Sequence, residues 1–253
     1  MVSQNTGKIN LLMKTWTRGT VATQPWLDSQ GVYRQLSDAY VRSGWLTRIG
    51  RGAFIRAGEN VDWTGALFAL QKQLHLPVHV AAKTALELKG YGHYVPLGPD
   101  RMLGLFGAPG TRLPAWFLNY PWPVDVQYTT THLFSNDEKL GLSEFEANSF
   151  SIECSTPERA IMELIHLLPK NAHFEDAQLA MESLTTLRPK LVQSLLANCK
   201  SVRVKRFFMW LAEYNQHKWV ERLDVEKIDF GKGKRTLFKG GHFNKKYQIT
   251  VPE

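Results

Sequence analysis

Residues 31–56 read GVYRQLSDAYVRSGWLTRIGRGAFIR, a helix-like run followed by a hairpin whose tip is Gly50-Arg51-Gly52. On a helical wheel Val32, Leu36, Ala39, Tyr40 and Ser43 share one face, whereas Arg34, Gln35, Ser37, Asp38, Val41 and Arg42 point elsewhere. Gly44 ends the helix. WLTRI and AFIR then alternate like strands across the glycine-flanked turn. Just upstream, TQPWLDSQG (23–31) reads as a short helix, with Thr23 as its cap, Pro25 in its first turn and Gly31 closing it. An earlier helix is expected over the first 15 residues, where Ile9, Leu12 and Met13 lie on one side. Helix, helix, turn, helix and hairpin is the order of a winged helix-turn-helix.

Charge supports an anionic partner for this segment. The chain carries a formal +8, and residues 1–60 hold eight Lys or Arg against three acids, a local balance of +5. Residues 61–160 reverse it, with seven basic side chains against ten acidic ones. From residue 230 onward the chain is basic again: Lys232, Lys234, Arg235, Lys239, Lys245 and Lys246 face only Glu253.

Beyond Gly58 the pattern changes. Helices are expected over 63–74 and 81–89, separated by HLPVH, then short strands at RMLGLFG, AWFLNY, VDVQYTT and SFSIEC. Ser155 or Thr156 caps a helix in TPERAIMELIHLL, further helices run near 174–184, 188–198 and 202–216, and the tail returns to strands. The fold class is therefore α+β, an N-terminal winged helix-turn-helix followed by a mixed α/β C-terminal domain. The division is expected at residues 1–95 and 96–253, with the winged-helix core at about 14–58.

In a helix-turn-helix the second helix of the motif enters the major groove, and its solvent-facing side chains read base edges. Arg34 suits guanine O6 and N7, Gln35 suits adenine, and Ser37 or Arg42 reaches phosphate or base. Thr23, Gln24 and Tyr33 complete the expected contact set. A cation at the hairpin tip reaches a neighbouring phosphate, which places Arg51 and Arg48 on the wing. Two bland readings compete: winged helices also mediate protein contacts, and a turn arginine aids solubility.

Enzyme signatures are missing. There is no GxSxG elbow, and FGKGKRT satisfies neither GxxxxGK[ST] nor GxGxxG. His75 and His79 are separated by Pro77, which breaks the helix needed to align them on a metal. Glu158 and Glu163 read as an exposed, salt-bridged helix face, and the rings of PAWFLNYPWP as packed core or interface. No enzymatic activity, cofactor or metal is expected. Cys154 and Cys199 stand far apart without metal spacing, which favours a reducing, cytoplasmic setting. No apolar run approaches the roughly 18 residues of a membrane span.

Together GVYRQLSDAYVRSGWLTRIGRGAFIR, AAKTALELKGYGHYVP, STPERAIMELI and GKGKRTLFKGGHFNKKYQITVP resemble the AbiEi family, antitoxins and transcriptional regulators of bacterial type IV (AbiE-type) toxin–antitoxin systems that act in phage defence. The resemblance spans nearly the whole chain. It implies that the winged helix binds inverted repeats in double-stranded promoter DNA of its own operon, with self-association there, and represses it. It carries the DNA-contact role onto Arg34, Gln35, Ser37, Arg42, Arg48 and Arg51. It implies that the C-terminal domain counteracts a cognate nucleotidyltransferase-like toxin; the basic tail reads either as a strand with solvated lysines or as an anion-facing surface. The other readings are a stand-alone regulator whose C-terminal domain senses a ligand or dimerises, and a nuclease or nucleotide-handling enzyme, for which clustered carboxylates or histidines are lacking.

Overall fold

The computed structural model describes residues 2–92, 101–134, 139–236, 238 and 240–252, with side chains from residue 7 onward. The expected division after residue 95 lies outside the described residues. The chain forms two compact units: Met1–His79 with Gly110–Val126 and Glu144–Glu153, and Val80–Pro109 with Gln127–Ser143 and Cys154–Glu253.

The first unit begins with α1 (Val2–Thr15), β1 (Ala22–Thr23), α2 (Gln24–Ser29), α3 (Arg34–Arg42), β2 (Leu46–Gly50) and β3 (Ala53–Arg56). The three strands form one antiparallel sheet in the order β1-β3-β2. This is the expected winged helix-turn-helix. Its core comes from the face that the helical wheel picked out: Val32, Leu36 and Tyr40 pack with Ile9, Leu12, Trp16, Leu27, Leu46 and Phe54. Each such side chain contributes about 1.5–3 kcal/mol on burial, so a short helix held by α1 and the sheet needs little intrinsic propensity. Gly31 (φ 76°) makes the sharp turn between α2 and α3, where the Val32 N–H reaches Leu27 O at 2.8 Å. Gly44 (φ 73°) stops α3.

Arg56 contributes to the +5 of the first quarter but not to its surface. It is buried, donates to the carbonyls of Met13 (3.0 Å) and Trp16 at the end of α1, and lies over the Trp16 ring. A cation at a helix C-terminus satisfies orphan carbonyls and the helix dipole together.

The same unit continues with α4 (Trp63–Phe68), which runs on as a π turn over Ala69–Gln73. Asp62 caps α4 by accepting from the N–H groups of Thr64 and Gly65. A Cβ at Gly65 would sit 1.9 Å from Gly19 O, so only glycine fits there. AWFLN corrects the strand expectation: it forms α6 (Ala115–Asn119), opened by Pro114. As expected, its rings are packed, with Trp116, Phe117 and Trp122 all under 9% exposed.

A five-stranded sheet has the order β6-β5-β4-β8-β7, from β4 (Val78–Val80), β5 (Met102–Gly107), β6 (Asp125–Thr130), β7 (Leu142–Ala147) and β8 (Phe150–Ser155). β4 and β7 escaped the sequence reading. VHV is too short to show alternation, and LSEFEA carries two glutamates in a strand left half open to solvent. His79 lies in β4, and His75 is at the left-handed φ of 51°, so the two share no helix.

The second unit holds α5 (Ala82–Leu88), α7 (Pro157–Leu167), α8 (Phe174–Ser183), α9 (Pro189–Asn198), α10 (Val202–Tyr214) and a small sheet ordered β10-β11-β9 from β9 (Arg235–Thr236), β10 (His242–Asn244) and β11 (Ile249–Val251). Glu158 and Glu163 correct another expectation, for they are 3% and 0% exposed. Glu163 accepts from Arg159 Nε (2.7 Å), Ser155 Oγ (2.7 Å) and the Ala82 N–H (3.2 Å). Burial alone would raise the Glu158 carboxyl, but the side-chain and backbone hydrogen bonds from Arg188 hold it below its usual range. Both cysteines are free and buried, and burial pushes their thiols up to about 12 at Cys154 and about 11 at Cys199.

Candidate nucleic-acid interface

The residues expected to contact DNA separate into two groups. Thr23, Gln24 and Ser37 are committed inside the protein. Thr23 is 1% exposed, caps α2 by accepting from the Trp26 N–H (3.4 Å), and donates its hydroxyl to Gln73 Oε1 at 3.0 Å. Gln24 donates through Nε2 to Asp28 Oδ1 (2.8 Å) and Val32 O (3.1 Å). Its Oε1 accepts from the Ser37 hydroxyl at 2.9 Å, and Ser37 is fully buried. These three hold α2, the turn and α3 together. Thr23 and Ser37 are buried, and Gln24 is half-buried with both its amide groups already bonded. The wheel misplaced Ser37 because it sits at the edge of the apolar face, where α2 covers it.

The second group faces solvent. Tyr33, the N-cap of α3, is 55% exposed and makes no side-chain cap bond. Arg34 and Gln35 begin the helix and Arg42 ends it, all exposed. Among the described residues, no side-chain hydrogen bond or ion pair engages Arg34, Gln35, Arg42 or Arg51. Arg51 stands at the tip of the β2–β3 hairpin, where Gly52 takes φ 75°. Arg48 is partly spent: it pairs with Asp38 of α3 and lies over the Phe54 ring, 4.9 Å from its centroid, on the facing strand. That pair ties the base of the wing to α3.

The glycines flanking Arg51 serve the fold. Gly52 supplies the positive φ, and its carbonyl accepts from the Gln24 N–H at 2.8 Å. At Gly50 a Cβ would lie 2.5 Å from the Cβ of Trp116, so the wing stem closes on α6 only with glycine there. Sequence reading could not find this, because the partner lies 66 positions downstream. What remains is a rigid turn with one uncommitted cation at its tip.

The basic tail is built differently. Lys232, Lys234, Arg235, Lys245 and Lys246 are exposed, and Lys239 lies outside the described residues. Lys246 is paired with Glu213 at 2.6 Å, and Lys234 lies over the Phe243 ring. The buried guanidinium of Arg206 donates to the carbonyls of Phe230 (2.9 Å), Gly231 (3.1 Å), Gly233 (2.6 Å) and Gln248 (3.0 Å). The FGKGKRT turn is thus a ring of carbonyls around an internal cation, the opposite polarity to a phosphate loop. Its lysines are left facing outward.

Among the described residues, no group of three or more His, Cys, Asp or Glu side chains is placed to hold a metal ion. No helix among them is long and apolar enough to cross a membrane.

Residues 5–97 match the family model described as transcriptional regulator, AbiEi antitoxin N-terminal domain. Residues 100–252 match the one described as transcriptional regulator, AbiEi antitoxin, type IV TA system. A search of curated proteins finds no match. Among solved structures the chain is similar to the crystal structure of the RV2827C protein from Mycobacterium tuberculosis. The TM-score is 0.61 over 95% of this chain and 88% of that one, at 15% sequence identity, which is a likeness of fold. With two successive models covering nearly its full length, the chain belongs to the AbiEi family of transcriptional regulators, the antitoxins of type IV toxin–antitoxin systems.

Proposed function

We propose that this antitoxin represses its own operon by placing α3 in the major groove at inverted repeats of the promoter, with the β2–β3 wing on the flanking backbone. The observation that carries the reading is the sorting of polar groups along one segment. Thr23, Gln24, Ser37 and Arg56 are engaged internally, whereas Arg34, Gln35, Arg42 and Arg51 are exposed and uncommitted among the described residues. A solvated face would not need Tyr33 and the Arg34-Gln35 pair at the helix N-terminus, the end that meets base edges in this motif. Inverted repeats imply two copies side by side on DNA. Binding to a fragment from upstream of its own gene is expected to weaken with salt, log K falling against log salt with a slope of about 0.9 per phosphate neutralised. Titrations by fluorescence anisotropy across a salt series check this. Affinity that stays flat, or that survives deletion of residues 1–60, excludes the winged helix as the DNA-binding element.

We further propose that the C-terminal half counteracts a nucleotidyltransferase-like toxin through the exposed cations of the tail. The support is the Arg206 cage, which fixes the turn and leaves Lys232, Lys234 and Arg235 pointing outward. Changing Lys232, Lys234, Arg235, Lys239, Lys245 and Lys246 together to Gln is expected to abolish rescue from the co-expressed toxin. Surface charge changes cost less than about 0.5 kcal/mol each, so the variant should stay folded, with melting measured in parallel. Full rescue by the stably folded variant would return these lysines to the solvated surface.

A further inference from the structure

Within the second unit lies a cavity of about 270 Å³, walled by α5, β5, β6, α7 and the segment leading into α8. It is just smaller than the roughly 300–1,000 Å³ of sites for drug-sized ligands. The floor is apolar and tightly packed: Ala82, Leu164 and Leu167 are 2%, 1% and 6% exposed. It is also rigid. Ala82 is held at the left-handed φ of 49°, with its N–H pinned to the buried Glu163 at 3.2 Å. A non-glycine residue keeps such a conformation only where its surroundings impose it.

The rim carries both signs of charge. Lys83 and Asp176 neutralise each other at 2.7 Å, and the Thr84 hydroxyl is used between Met102 O and the Gly104 N–H. Glu87, Arg101 and Lys170 also line the cavity, and among the described residues none of the three makes a side-chain hydrogen bond or close ion pair. Burial raises the Glu87 carboxyl, while Lys83 and Arg101 draw it back down. A half-buried carboxylate and two exposed cations, none hydrogen-bonded or closely ion-paired among the described residues, over an apolar floor, call for a ligand with the complementary pattern.

Other ligand classes fit poorly. Among the described residues the one aromatic ring on the lining is the His173 imidazole, which offers a nucleobase little stacking surface. Among the described residues no side-chain cluster suits a metal ion. A lipid would have to bury several charges without partners.

We propose that this cavity binds a free α-amino acid with an aliphatic side chain, or a dipeptide ending in one. Arg101 and Lys170 take the carboxylate, Glu87 takes the ammonium, and the side chain rests on the exposed Met102 above the packed Leu167. The site is independent of DNA recognition by α3, so failure of either reading leaves the other standing. Isothermal titration of the full chain with L-leucine and with glycyl-leucine tests it. At least one should bind saturably. Removing either charge, as in 4-methylpentanoate or 3-methylbutylamine for leucine, should weaken binding at least about tenfold, the scale of one lost charge-assisted hydrogen bond. Arg101→Ala combined with Lys170→Ala should erase the preference for the ligand over its amine-only analogue, and Glu87→Gln the preference over its acid-only analogue, both at unchanged melting temperature. Absence of saturable binding by both ligands, or equal affinity for the charge-deleted analogues in the unaltered protein, overturns the assignment.

Discussion

Glu163→Ala is expected to lower the unfolding free energy by about 3–5 kcal/mol, the cost of stripping one partner from a buried ion pair. The carboxylate is wholly inaccessible and collects three donors: Arg159 Nε, the Ser155 hydroxyl and the Ala82 N–H. Arg159 is itself 7% exposed, held by Leu140 O at 2.8 Å and stacked over the Phe134 ring. Removing the acid therefore strands a guanidinium, a hydroxyl and a backbone amide at once. The loss is large against the 5–15 kcal/mol that holds a typical domain together. Arg159→Met combined with Glu163→Leu should recover part of it, because the stranded charge goes with its partner. Recovery should be incomplete, since Ser155 and Ala82 still lose their acceptor. Urea unfolding of the two variants beside the unaltered protein, at constant m-value, provides the comparison. A single Glu163→Ala cost below about 1 kcal/mol would mean that water reaches this carboxylate in solution.

The same glutamates show where sequence reading stops. In TPERAIMELIHLL the charges alternate with apolar residues, and a solvated face is the reasonable default for a lone acid on a helix. Glu158 contradicts that default through Arg188, which lies 30 positions away, and Glu163 through Ser155 and Ala82, which lie on other elements. Such partners have no local signature. The winged helix was legible because its determinants are local: an apolar stripe at helical spacing, Gly31 and Gly44 at the turns, and a glycine-flanked hairpin. AWFLN was misread because five residues rich in aromatic side chains satisfy strand propensity as well as a single helical turn. Within the site, exposed positions such as Arg34 and Arg51 could be read from the wheel and the turn. The internal roles of Gln24 and Ser37 could not, because each depends on the other across the helix-turn-helix.

Arg34→Ala and Arg51→Ala should weaken DNA binding in different ways, and the contrast tests the docking of α3. Arg34 is the first residue of the helix, exposed and without a side-chain partner among the described residues, where a guanidinium can meet guanine O6 and N7 together. Its loss should cost about 1–3 kcal/mol at one base position and leave preference elsewhere intact. Arg51 is at the tip of the wing, which in the proposed docking meets the sugar-phosphate backbone. Its loss should weaken all sequences about equally and reduce the salt slope by about one. Ser37→Ala supplies the control. Its hydroxyl is buried against Gln24 and touches no ligand, so this change should cost about 0.5–1.5 kcal/mol of stability and leave base preference unchanged. Competition binding against single-base variants of the promoter site, repeated at two salt concentrations, separates the three outcomes. If Arg34→Ala weakens every sequence alike while Arg51→Ala shifts preference at one base, the wing reads the sequence and α3 lies along the backbone.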